Sequence, residues 1–109
     1  EHRLAAAVAP TLPATAARAD HLFAGYEDGS EEEVSVAFTR FTMPFNATGQ
    51  PVISVPGGFD RDGLPIGLSI IGRPHAELDL CALAHVYEQA AGWWQRRPPI
   101  AQSAVERRG

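Results

Sequence analysis

QPVISVPGGFDRDGLPIGLSII, residues 50–71, is the stretch whose reading decides the fold. Val52, Ile53 and Val55 are β-branched and stand between Pro51 and Pro56, which predicts a strand over 50–56. A second strand is predicted over 64–71. There Leu64, Ile66, Leu68 and Ile70 fall on one face, while Gly67 and Ser69 keep the other face slim. Gly57-Gly58 and Asp60-Arg61-Asp62-Gly63 carry turn chemistry between the two. An antiparallel hairpin follows, with something expected to pack closely on its slim face.

Downstream, Gly72-Arg73-Pro74 ends the second strand, and residues 77–91 read as the clearest helix. It is rich in alanine and leucine, has Glu77 and Asp79 in its first turn, and meets Gly92 at its end. Leu78, Cys81, Ala82 and His85 form one stripe, and Leu80, Leu83, Ala84 and Tyr87 a second. Such breadth predicts a helix buried against more than one element. Upstream, Phe38, Phe41 and Phe45 recur three and four apart within 35–48, the spacing of one helix face. Pro44 is expected to kink or restart that helix and Gly49 to end it. Residues 4–9 predict a short strand stopped by Pro10 and Pro13, with a helical turn as the alternative. Residues 15–26 suggest a helical turn or two, and the acidic stretch 27–33 a solvated loop. A polar tail, 102–109, is expected to fray. The fold class is α/β: a β-hairpin, a buried helix and a short N-terminal strand.

The composition is that of a globular protein, with 109 residues, 45% hydrophobic and 20% charged. A net charge of -4 argues against nucleic acid as the main partner. No apolar run approaches a bilayer span, and the start lacks the basic-then-apolar layout of a leader, so membrane association is not expected and a cytoplasmic location is. Cys81 is the single cysteine, which excludes an internal disulfide. All nine basic residues are arginine, so chemistry that needs a lysine must find it outside this chain. Met43 is the only methionine and Glu1 opens the chain, which together suggest a fragment.

Candidate chemistry is sparse. His75, Asp79 and His85 would spread widely around a helix, so no metal site is assigned. None of Ser30, Ser35, Ser54, Ser69 and Ser103 sits in a glycine-rich elbow of the kind that presents a nucleophile. Gly57-Gly58 is far short of a phosphate loop and reads as a turn. Asn46-Ala47-Thr48 fits a glycosylation acceptor, but a helix-terminal asparagine explains it equally. Trp93-Trp94 reads as core closure. Phe41, Met43 and Phe45 could line a pocket, although composition alone favours a core.

Residues 41–99 resemble the C-terminal end of the amidase signature family. The elements agree in order: Thr42-x-Pro44-x-Asn46-x-x-Gly49-x-Pro51, Ser54-Val55-Pro56, Asp62-Gly63-Leu64-Pro65-x-Gly67, Gly72-Arg73-Pro74, a helix with Glu88, and Trp94-x-x-Arg97-Pro98. Residues 8–13, VAPTLP, resemble the strand and proline turn that precede this region in the family.

The resemblance implies that residues 1–109 are the C-terminal segment of one larger amidase domain, built as a mixed β-sheet flanked by helices. It implies hydrolysis of a carboxamide to a carboxylate and ammonia or an amine, without a cofactor. The family uses a serine nucleophile, a second serine in a cis peptide and a lysine base, all from earlier sequence, so no catalytic residue is assigned here and the isolated chain is expected to be inactive. Thr42, Pro44, Asn46 and Gly49 match a segment beside the substrate cavity. Phe41, Met43 and Phe45 stand between them, so the expected pocket wall is Phe41, Thr42, Met43, Phe45 and Asn46, with Pro10 and Thr11 as secondary candidates. Expected partners are a small-molecule amide, the remainder of the domain and a possible second copy of the protein. Gly57 stands where members often carry cysteine. Thr39-Arg40-Phe41 lacks the acid found in glutamine-hydrolysing subunits of transfer-RNA amidotransferases, and Phe38 and Phe41 point to an aryl or alkyl amide. The rivals are two: a glutamine-hydrolysing subunit of that kind, or a non-catalytic scaffold or interaction subunit.

Overall fold

In the computed structural model, which describes residues 4–100, the elements run β1 (Ala7–Pro10), β2 (Phe23–Gly25), β3 (Glu31–Glu33), α1 (Val34–Ala37), α2 (Met43–Thr48), β4 (Val52–Phe59), β5 (Pro65–Ile71) and α3 (Glu77–Ala91). A single 3-10 turn, Trp93–Gln95, follows α3. The expected fray over 102–109 lies outside the described residues.

The central hairpin forms as its sequence predicts. β4 and β5 pair antiparallel, with Ile53 opposite Ile70 and Val55 opposite Leu68. Asp60 closes the turn: its backbone N–H donates to Leu64 O at 2.9 Å, and its Oδ1 accepts from the N–H groups of Asp62 and Leu64 at 2.9 and 2.8 Å. Gly63 takes the left-handed conformation there, with φ 80°. The glycine pair does not belong to this turn. It lies inside β4 as a bulge, because Pro56 faces Gly67 and Gly58 faces Ile66, which leaves Gly57 without an opposite residue. A Cβ on Gly57 would stand 3.1 Å from Leu68 Cβ, so the bulge also needs a slim residue.

β1 adds to the other side of β5, giving the order β1-β5-β4. It begins three residues later than the sequence suggests and includes Pro10, which an edge strand tolerates because it need not donate on both sides. On one face of this sheet Ile53, Val55 and Ile70 meet Leu80 and Ala84 of α3. α3 has the bounds expected of it and ends at Gly92, whose φ is 70°. Its burial is narrower than the expected buried helix. Only Leu80 and Ala84 are buried, while Leu78 is 86% and Val86 65% exposed, because the described chain packs one layer, and not several, against it.

Residues 15–33 depart from expectation. No helical turn forms at 15–26, and the acidic stretch is not a loop throughout. β2 and β3 pair antiparallel, with Ala24 opposite Glu32. Asp28 drives the reversal, since its Oδ1 accepts from both the N–H and the hydroxyl of Ser30 at 2.9 and 2.6 Å. The crowded carboxylates find partners: Glu31 meets His21, and Glu32 meets Tyr26 and Arg40. Ala24 and Ala37 are the buried residues of this part. The aromatic segment does restart at its proline. α1 stops at Ala37, and α2 begins at Met43 with Pro44 in its first turn, where a missing N–H costs nothing. Gly49 ends α2 with φ 72°.

Candidate functional site

The slim face of the hairpin is where a loop approaches most closely. Thr11 follows β1, and its N–H donates to Gly67 O at 3.0 Å. This carries the Thr11 side chain across the face opposite α3, where Oγ1 lies 2.9 Å from both Ser54 Oγ and Ser69 Oγ. A Cβ on Gly67 would stand 3.0 Å from Thr11 Cβ and Oγ1, so Gly67 is what admits the threonine. Ser69 is buried. The three hydroxyls bond to one another, and among the described residues no histidine or carboxylate hydrogen-bonds any of them. Bonded to one another in this way, they form an anchor. They fix the PTLPAT loop, residues 10–15, whose far end is held when Thr15 Oγ1 donates to Asp60 Oδ2 at 2.8 Å. The backbone N–H of Leu64, first, and the Thr15 hydroxyl hold the Asp60 carboxyl below its ordinary range.

The expected wall residues, Phe41, Thr42, Met43, Phe45 and Asn46, lie together on the turn into α2 and its first helical residues. Phe41, Thr42 and Phe45 are half-buried, and Met43 and Asn46 are exposed. Two anchors position this segment. Thr42 Oγ1 lies 3.4 Å from Phe38 O and from Thr39 O, and the Met43 N–H donates to Thr39 O at 2.9 Å. Arg40, just before it, donates from Nη2 to both Glu32 oxygens at 2.5 and 2.6 Å, and Glu32 also accepts from the Tyr26 hydroxyl at 2.9 Å. That pairing with Glu32 raises the Arg40 guanidinium above its ordinary value; desolvation, then Glu32, raises the Tyr26 phenol. Of the secondary candidates, Thr11 is in the hydroxyl anchor and Pro10 ends β1.

Of the clefts in the described chain, two bear on the residues read from the sequence. The first, about 370 Å³, opens between the PTLPAT loop, Phe38 and the start of β5. Leu12, Pro13, Ala14, Phe38, Pro65 and Ile66 supply its apolar walls. Sequence reading missed it, because it joins residues far apart in the chain; the pairing of a slim Gly67 with a proline-bounded loop was the available hint. The second, about 290 Å³, runs between β4, α3 and the 3-10 turn, and includes Cys81, His85, Tyr87, Glu88, Trp93 and Trp94. Trp93 packs edge-on against Phe59 at 5.7 Å, and Arg96 lies over the Phe59 ring at 3.9 Å, so this half-buried tryptophan makes an aromatic contact at the edge of the sheet and lies outside the buried core. Trp94 is exposed. Among the described residues no group of three or more His, Cys, Asp or Glu is placed to hold a metal ion, and no helix is long and apolar enough to cross a membrane.

A family profile described as Amidase matches residues 2–81. The chain is 40% identical over 98 residues to an amidase of Pseudomonas putida, covering 90% of this chain and 21% of the relative. It is 38% identical over 94 residues to the A-type subunit of the glutamyl-tRNA(Gln) amidotransferase of a Picosynechococcus strain, covering 85% and 18% respectively. It is 51% identical over 59 residues to a fatty acid amide hydrolase of Medicago truncatula, covering 54% of this chain and 10% of the relative. The chain thus spans about a fifth or less of the length of these curated relatives. No solved structure matches it.

Proposed function

This chain belongs to the amidase family, and from that premise we propose that it forms the C-terminal segment of an amide hydrolase domain. The domain splits a carboxamide C–N bond to give a carboxylate and ammonia or an amine. The serine nucleophile, the bridging serine and the lysine base come from sequence outside these 109 residues. The chain's lack of any lysine agrees with that division. The base draws the nucleophile's proton through the bridging serine, backbone N–H groups hold the oxyanion, and water releases the acyl group. No cofactor enters.

The observation that carries this reading is the family match over residues 2–81, which takes in the hydroxyl anchor and the whole segment 41–46. In it, Phe41, Thr42, Met43, Phe45 and Asn46 form part of the substrate-pocket wall. Arg40 and Thr42 hold that wall in place through Glu32 and the Phe38 carbonyl. The glutamine-hydrolysing subunit is the second reading, favoured by the named function of the Picosynechococcus relative. Against it, Thr39-Arg40-Phe41 offers no carboxylate to the substrate side.

Ammonia release is the test, with alkyl amides, aryl amides and glutamine offered in turn. The natural polypeptide that carries this sequence is expected to hydrolyse at least one class, and the 109-residue chain none. Turnover by the short chain would overturn the division of labour, and no turnover by the longer polypeptide would overturn the hydrolase reading. Turnover of glutamine alone, with co-purifying subunits, would select the second reading.

A further inference from the structure

The cleft between the PTLPAT loop, Phe38 and β5 belongs to no role assigned so far. Its volume, about 370 Å³, falls at the small end of the range for organic ligands. Leu12, Pro13, Ala14, Phe38, Pro65 and Ile66 present hydrocarbon and ring surface to it. Thr15 is the polar side chain on its rim, and that hydroxyl is committed to Asp60. A ligand portion seated here would therefore find apolar contact and no charge partner. The walls are also preset. The loop is pinned at Thr11 by two serine hydroxyls and at Thr15 by Asp60, and Ile66 sits on the paired strand beside the bulge. Phe38 stands one helical turn before Thr42, whose hydroxyl lies 3.4 Å from the Phe38 carbonyl, so the cleft adjoins the proposed pocket wall through that residue.

The geometry points to this cleft as the seat for the hydrocarbon or aryl portion of the amide substrate. The inference rests on the hydrolase reading and deepens it. It sets the substrate class as amides with an alkyl group of several carbons or a single aromatic ring, in preference to acetamide or glutamine.

The test uses the natural polypeptide that carries this sequence, with hexanamide, benzamide and acetamide as substrates. Ala14→Leu places a larger side chain in the cleft. It is expected to lower the ratio of kcat/KM for hexanamide over acetamide by about tenfold or more, the scale set by a few methylenes in an apolar pocket. The loss should appear in KM. Phe38→Leu, a change that keeps an apolar side chain at the C-terminal end of α1, is expected to lower the benzamide ratio in the same way. Ratios that stay constant in both variants, or fall through kcat alone, would overturn the inference. If the wild-type polypeptide hydrolyses none of the three, the hydrolase reading fails first, and the cleft is judged by methyl NMR during a hexanamide titration. Shifts centred on Leu12 and Ile66 would support it, and their absence would sink it.

Discussion

Asp60 shows how much one side chain organises here. Its carboxylate accepts from Asp62 and Leu64 within the hairpin turn and from Thr15 in the PTLPAT loop, so it ties the turn to the loop that walls the cleft. These bonds favour the ionised form and hold its folded pKa below the unfolded one, the Leu64 N–H contributing most. The contribution is therefore present at any pH above the unfolded value and is lost as pH falls through the folded value. Asp60→Asn is expected to lower the urea midpoint at pH 7. The gap to wild type should close as pH falls through the lowered pKa, which parallel urea titrations at stepped pH would show. A gap independent of pH would mean that shape, and not charge, is what Asp60 supplies. The turn was legible from Asp60-Arg61-Asp62-Gly63 alone. Thr15 was not, because a bond between residues 45 apart leaves no local pattern. The same holds for the hydroxyl anchor: a slim Gly67 announces that something comes close, but sequence does not say that it is Thr11.

Elements were readable where periodicity and punctuation agree. α3 has a helical composition, acids in its first turn and a terminal glycine in the left-handed region, and its bounds match expectation. The hairpin has β-branched runs on either side of a turn, though its glycine pair proved to be a bulge within the strand. β2 and β3 were hidden because three adjacent glutamates resemble a solvated loop; pairing them in a strand depends on Arg40, Tyr26 and His21 reaching back from elsewhere. The packing of α3 on the hairpin rests on a small cluster, Ile70, Leu80 and Ala84, with Ala6, Ile53 and Val55 at its edge. Leu80→Ala should cost about 2–3 kcal/mol, the low end for such truncations, because partly exposed neighbours can close on the gap. Leu78→Ala, at an 86% exposed position, should change stability by less than about 0.5 kcal/mol. Denaturant unfolding of the two variants side by side checks the contrast, and equal losses would mean that α3 is seated differently.

At the scale of the whole molecule the chain has more surface than its mass warrants. Its accessible area is 8463 Å², against about 5,900 Å² for a compact monomer of 11.7 kDa. Among the described residues no large side chain is completely buried. α3 is apolar on nearly every side, yet Leu83 is partly open and Val86 is 65% exposed. A helix of that kind is normally enclosed. Under the reading proposed above, the remainder of an amidase domain encloses it. Val86→Asp then separates two situations. In the 109-residue chain the position faces water, and the substitution should shift stability by no more than about 0.5 kcal/mol. In the longer polypeptide it would place a carboxylate in a covered apolar contact and should cost about 2 kcal/mol or more, since burial without a partner penalises the charged form. Urea unfolding of both lengths, wild type and variant, reads the difference directly. A small effect in both would leave the outer face of α3 open to solvent in the intact protein, and the excess area would then have to be covered through the sheet edges and the far face of the hairpin.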